Sequence, residues 1–341
     1  MKTDLKNLTI TEMEHYLEKL EEKKFRARQI FGWIYKGADS FDEMTDLSKE
    51  LRRKLDDNAE MKKLGILKVQ NSGKDGTRKY LFGLEDGNSI ESVFMKYKFG
   101  NTVCISSQAG CRMGCSFCAS AINGLKRNLT AGEMADQILS VEKDTGEKVS
   151  NIVVMGTGEP LDNYGNLSKF IEIIHEKDGL NIGMRSITVS TCGMIPKMFE
   201  LAKDFPQINL AVSLHAPNDS IRNKLMPISK RYPMEELLKA CSQHIASTGR
   251  RITFEYALVK GLNDSDRNAE ELAAKLRGIN CHVNLIPLNR VAETGLSGTE
   301  RSVVERFHDL LEKRGIQVTI RRELGSDIDA ACGQLRLKNN E

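Results

Sequence analysis

Long apolar runs, aromatic side chains and a dominant sign of charge are all scarce in this chain of 341 residues. Aromatics make up 6%, with a single tryptophan, and prolines number 7. No apolar stretch approaches the roughly 18 residues that a membrane helix needs, so a helical span is excluded. The opening MKTDLKNLTITEMEHYLEKL carries acids throughout and lacks the continuous apolar core of a secretory signal, so a cytoplasmic protein with no membrane partner is expected. The net charge of +3 is too small to prescribe a polyanionic partner, and the cluster Lys23, Lys24, Arg26 and Arg28 suits phosphates and solvent equally. The 8 cysteines in a reducing compartment argue against a disulfide framework and for metal binding or catalysis.

What is present is a globular composition, 40% hydrophobic and 28% charged, long enough for one large α/β domain and a smaller one. Residues 9–65 carry helical periodicity: Thr11 is placed to cap a helix with Glu14 three residues on, and Phe25, Ile30, Phe31 and Ile34 recur near helical spacing. This predicts a helical domain ending near Leu64, whose accessory segment runs to residue 75. RKYLFGL and SIESVFMKY, separated by EDGN, predict a hairpin bridge within 76–100. Beyond it the strands TVCIS, NIVVM, SITVST, INLAVSL, RITFEYAL and HVNLI alternate with amphipathic stretches, and QVTIR offers a closing strand. Six βα units predict an α/β fold, a partial (βα)6 barrel over 101–322, with its chemistry at the C-terminal ends of the strands. Residues 323–341 read as a polar C-terminal loop.

The strongest local signal is SSQAGCRMGCSFCAS, where Cys111, Cys115 and Cys118 fall within eight residues directly after a strand. Closed zinc sites and ordinary cluster ferredoxins use four ligands, and no fourth lies nearby. Three thiolates on a four-iron cluster leave one iron open to bind and reduce a small molecule. In NIVVMGTGEPLDN, Gly156, Gly158 and Glu159 follow the next strand, where glycine admits close approach of backbone to a ligand. Ser190, Ser213, His215 and Asn289 sit at the ends of later strands, each suited to a polar cofactor contact or to a cap or turn. A lone His215 is more naturally a hydrogen-bonded structural residue than a base.

The C-x3-C-x2-C pattern resembles that of the radical-SAM superfamily, which implies a [4Fe-4S] cluster whose free iron chelates the amino and carboxylate groups of S-adenosylmethionine. MGTGEP resembles the superfamily's GGE-type segment, implying Gly158 and Glu159 as contacts of the methionine amine. Over nearly the whole chain, CISSQAGCRMGCSFCA, KRNLT, MGTGEPLDN, STCG, SLHAPND, LMPI, NLIPLN and DIDAACGQL resemble the RlmN/Cfr family of RNA adenine methyltransferases. FRARQIFGWIYKG and SFDEMTDLSKELR resemble that family's helical accessory domain.

The resemblance implies a methyl transfer to an unactivated carbon of adenine. Cys332 would carry the methyl group as S-methylcysteine, Cys104 would resolve the protein-RNA adduct through a transient disulfide with Cys332, and Glu91 would accept a proton. Implied partners are 23S rRNA in its peptidyl-transferase loop, tRNA at the adenosine 3′ of the anticodon, and an electron donor such as flavodoxin or ferredoxin, with the enzyme a monomer. Lys126 and Arg127 beside the cluster, with the N-terminal basic helix, are candidate phosphate contacts. Cys192, Cys241 and Cys281 match no such role and read as small core residues. Thr157 and Cys192 stand where many members carry methionine and serine.

Two rival readings make different demands. A Cfr-type enzyme would methylate carbon-8 of the same rRNA adenosine and confer antibiotic resistance, but the Pro160 and Leu161 pair is RlmN-like and favours carbon-2. A non-catalytic iron-sulfur or zinc RNA-binding module would require a fourth ligand and have no use for Cys332.

Overall fold

The computed structural model describes residues 2–288, 295–322, 324–325 and 327–328. At the N-terminus α1 (Ile10–Lys19), α2 (Arg26–Tyr35) and α3 (Lys49–Asn58) pack beside a short parallel pair, β1 (Thr3–Asp4) with β2 (Ala59–Glu60). The cap of α1 is Thr9, not the expected Thr11: Thr9 Oγ1 accepts the Glu12 N–H at 3.3 Å while a Glu12 carboxylate oxygen accepts the Thr9 N–H at 2.9 Å. T-x-x-E occurs twice in this stretch. The start at Ile10 completes the box and turns Ile10, Met13 and Leu17 into the core, which decides between the two.

Ten strands form one mixed sheet in the order β14-β13-β12-β11-β10-β9-β6-β5-β4-β3. Antiparallel pairing joins β3 (Gly65–Asn71), β4 (Arg78–Gly83), β5 (Ser89–Tyr97) and β6 (Gly100–Cys104). From β6 onward the sheet is parallel, through β9 (Asn151–Val154), β10 (Ile187–Thr191), β11 (Asn209–Ser213), β12 (Ile252–Leu258), β13 (Cys281–Pro287) and β14 (Val318–Ile320). Between β6 and β9 a small antiparallel pair, β7 (Gln108–Gly110) and β8 (Leu125–Asn128), brackets the cysteine segment. The helices are α4 (Ala131–Thr145), α5 (Tyr164–His175), α6 (Ile195–Asp204), α7 (Asp219–Leu225), α8 (Met234–Thr248), α9 (Asp266–Leu276) and α10 (Arg301–Lys313). The hairpin is continuous with the main sheet, and β3 makes an edge strand of residues 65–71, which the sequence reading left in the accessory segment. GILKVQN is mostly exposed and shows no clear alternation, so its period is not visible in the sequence.

The parallel strands have two unlike faces. Ile152, Val154, Val189, Val212, Phe254, Tyr256 and Val283 join the apolar core under the helices. The alternate positions, among them Cys104, Ser190, Ser213, Glu255 and Asn284, lie on the other, inner face. A parallel strand carrying Thr, Ser, Glu and Asn between its apolar residues needs a polar chamber on one side.

Candidate active site

The cysteine loop is shaped by its own backbone. Gly110 has φ of +81°, and a Cβ there would lie 2.0 Å from the Gly124 carbonyl oxygen, so the strand leading into Cys111 tolerates no side chain. The Cys111 N–H donates to the Gly124 carbonyl at 3.1 Å, and the Cys118 N–H to the Cys115 carbonyl at 3.1 Å. The Ser116 N–H donates to the Leu225 carbonyl at 2.9 Å, which pins the loop to the end of α7. Burial pushes the Cys111 thiol up to about 12, reinforced by the charges of Cys118, Glu159 and Asp162, and burial with Cys118 and Cys111 raises Cys115 in the same direction.

Among the described residues, the only three ligand atoms lying within 4.8 Å of one another are those of His308, Asp309 and Glu312. A tetrahedral zinc with Zn–S of about 2.3 Å would hold three sulfurs about 3.8 Å apart. The three thiols are not gathered that tightly. Three thiols drawn into one loop by these backbone contacts are a donor set that fits a four-iron cluster with three protein ligands.

Residues expected at the cofactor converge on the same end of the sheet. Gly158 has φ of +112°, and a Cβ on it would meet the Gln108 side chain at 2.7 Å, so the loop after β9 lies directly on the chain entering the cysteine segment. The buried Glu159 carboxylate is engaged with backbone: one oxygen accepts the Leu161 N–H at 3.1 Å and the other the Cys192 N–H at 2.7 Å. Burial raises its pKa against the opposing pull of the Cys192 and Leu161 amides and the Thr191 hydroxyl. It ties the ends of β9 and β10 together, and an added ammonium would find the remaining lone pairs. Ser190 and Ser213 stand at the ends of β10 and β11 on the inner face.

His215 follows β11 with φ of +54°, uncommon for a non-glycine residue, and its Nδ1 accepts the Ala257 N–H at 2.9 Å. Nδ1 as acceptor places the ring proton on Nε2. Burial, with the Arg222 charge, lowers its pKa to about 3, so the imidazole is neutral and holds β11 to β12. The Phe117 ring meets it edge-on at 4.8 Å. Asn289 and Cys332 lie outside the described residues.

Cys104 and Glu91 are brought together by register. Val93 pairs with Cys104 across β5 and β6, so Glu91, two residues earlier on the same face, is a diagonal neighbour of Cys104 at about 7 Å by ordinary sheet geometry. Cys104 is buried in a small apolar cluster with Val93 and Met95, against which Met155 and Leu324 pack. Glu91 is buried and ion-paired at 3.0 Å with the equally buried Lys79.

The chain beyond β14 reaches this cluster and continues to the far edge of the sheet. Leu324 packs on it, the Gly325 N–H donates to Asp75 at 2.8 Å, and Asp327 accepts from the Ser72 hydroxyl at 2.6 Å and the Gly73 N–H at 2.9 Å. Residues 72–75 form the turn between β3 and β4. Sequence reasoning missed Lys79, Arg222 and Glu255; Glu255 alone carries a signal, a charge inside the otherwise apolar TFEYAL, whereas Arg222 lies in the polar NDSIRNKL and shows none. Arg127 is held by Asp86 and by both Glu133 oxygens, clamping the β4–β5 turn to α4.

A loop of three thiols following the first parallel strand is the arrangement expected of a radical-SAM enzyme, and the Radical SAM superfamily profile matches residues 105–273. A second profile, described as ribosomal RNA large subunit methyltransferase N-terminal domain, matches residues 3–61. A probable dual-specificity RNA methyltransferase RlmN from Desulforamulus reducens is 56% identical over 98% of this chain and 96% of its own length. Its counterpart from Lachnospira eligens is 56% identical over 99% and 97%. The crystal structure of a radical SAM methyltransferase from Sphaerobacter thermophilus superposes with a TM-score of 0.93 at 46% identity, covering 97% of this chain and 98% of that one. The chain belongs to the RlmN family of radical-SAM methyltransferases, which use a [4Fe-4S] cluster and S-adenosylmethionine.

Proposed function

We propose that the protein forms 2-methyladenosine in the peptidyl-transferase loop of 23S rRNA and at the adenosine 3′ of the tRNA anticodon. The observation that carries the reading is the juxtaposition of Cys104, Glu91 and the C-terminal segment at Leu324 on the inner face. Cys111, Cys115 and Cys118 are the thiolates that hold the cluster, with Gly158, Glu159, Ser190, Ser213, His215 and Asn289 around S-adenosylmethionine. When bound, these groups supply the methyl carbon and one-electron reductive chemistry, with electrons from a flavodoxin or ferredoxin.

The chain's own residues manage the carbon's passage. Cys332, eight residues beyond Leu324, holds the methyl carbon as a thioether and delivers it to carbon-2. Glu91, kept in an ion pair with Lys79, takes the proton from that carbon. Cys104 closes on the Cys332 sulfur as the carbon leaves it, and the resulting disulfide is reduced for the next cycle. The N-terminal helical domain supplies the RNA-facing surface, and the enzyme works as a cytoplasmic monomer.

The test is anaerobic reconstitution followed by mass spectrometry of nucleosides from treated 23S rRNA and tRNA. The expected product is 2-methyladenosine in both, and 8-methyladenosine would identify a carbon-8 enzyme instead. Cys332→Ala abolishes product while retaining the iron. Cys104→Ala accumulates a covalent protein-RNA adduct on a denaturing gel, and clean turnover by either variant would sink the assignment.

A further inference from the structure

Arg222 on α7 is 0% exposed, and its guanidinium makes three hydrogen bonds, all to backbone carbonyls. Nη2 donates to Cys192 at 2.8 Å and Ser213 at 3.2 Å, and Nε donates to Leu214 at 3.3 Å. These carbonyls lie just past β10 and at the end of β11. Nη1 is buried with no partner. Among the described residues no carboxylate is ion-paired with it, and Glu159 bonds the Leu161 and Cys192 amides instead. Burial lowers its pKa, and the groups opposing that are, in order, Cys192, Cys115, Asp219 and Cys241.

A buried guanidinium satisfied only by neutral carbonyls is costly, because a full charge has left water without a counter-charge. Such a residue implies an anion at its free edge. Leu225, one turn along α7, packs in the apolar cluster that Cys115 and Phe117 join, and its carbonyl accepts from Ser116. The helix that carries Arg222 is thereby held against the cysteine loop. Three thiolates outweigh the positive charge of an oxidised four-iron core, and outweigh it further once an electron has been added.

We propose that Arg222 is the fixed counter-charge of the cluster, a positioning residue that stabilises the reduced state and so raises its reduction potential. The step concerned transfers one electron from an external one-electron reductant to the cluster, with no bond made or broken at Arg222. The inference rests on the cluster assignment. Guanidinium suits this place because it spans three carbonyls with an edge to spare, while an ammonium there would supply the same charge with fewer bonds.

Anaerobically reconstituted wild type, Arg222→Gln and Arg222→Lys, each assayed for iron and sulfide per chain, are titrated potentiometrically with the reduced cluster read by electron paramagnetic resonance. Arg222→Gln is expected to bind iron and to be at least about tenfold harder to reduce, a fall of about 59 mV for a one-electron couple, with Arg222→Lys recovering most of the difference. A wild-type potential in Arg222→Gln overturns the proposal, as does an Arg222→Lys potential as low as that of Arg222→Gln. Should Arg222→Gln take up no iron, Arg222→Lys decides: a potential within tenfold of wild type supports the counter-charge, and a larger fall overturns it. Wild type that binds no iron would instead refute the cluster assignment itself.

Discussion

Gly110 shows how much of the site depends on single atoms. With a Cβ 2.0 Å from the Gly124 carbonyl, Gly110→Ala forces the backbone around Cys111 to move. The expected outcome is a folded protein that takes up far less iron on reconstitution, read by iron content per chain and charge-transfer absorbance. Wild-type iron loading would show that the loop adjusts without loss. The cysteine triad itself was legible because its three ligands are local in sequence. Partnerships such as Glu159 with the Cys192 amide, or Lys79 with Glu91, join residues far apart and appear only once the strands are in register. Glu159 is expected from the sequence to serve the cofactor through its carboxylate; the structure gives that carboxylate two backbone amide partners.

At the scale of elements, the turn between β3 and β4 holds the C-terminal segment against the sheet. Burial pushes Asp75 upward, but the hydrogen bonds from the Gly325 N–H and from Thr77 outweigh it and hold the carboxyl at about 2. The Ser72 hydroxyl, with the Gly73 amide, overcomes burial to keep Asp327 below its ordinary value. Both carboxyls are held below the roughly 3.9 of an unfolded aspartate, so the stabilisation is complete above that value and is lost progressively as pH falls below it, for Asp75 through about 2. Protection factors for the Gly325 and Gly73 amides should hold from pH 7 to about 4 and collapse below, while the amides of β12 persist. Asp327→Ala should release Gly73 even at pH 7, and unchanged protection would refute the latch. No periodicity reveals this contact, because it joins residues about 255 positions apart. The misplaced cap at Thr11 has a different origin: two overlapping T-x-x-E patterns are locally equivalent, and only core packing separates them.

Over the whole molecule, the helical domain is fastened to the barrel by a buried ion pair between Lys6 and Asp136. Asp136 also accepts the Leu64 N–H at 2.7 Å, and the Tyr35 hydroxyl donates to the Lys6 carbonyl at 3.1 Å. Lys6→Met leaves a buried carboxylate without its cation and is expected to cost about 3–5 kcal/mol in denaturant unfolding. Converting the partner as well, in Lys6→Met with Asp136→Asn, should recover part of that loss, and a near-neutral single variant would show that the pair contributes little.

The sequence by itself determined the alternation of strands and helices, the cysteine spacing and the family segments, since each is written in neighbouring residues. It did not reveal β3, whose exposed residues carry no period. Tertiary structure decided which charges share the inner face. It set Glu91 diagonally across from Cys104, Lys79 against Glu91, Leu324 on the Cys104 cluster, and an unpaired guanidinium behind the cysteine loop. The reason is physical: covalent neighbours fix local conformation, whereas the partner of a buried charge is chosen by register and burial across the folded sheet.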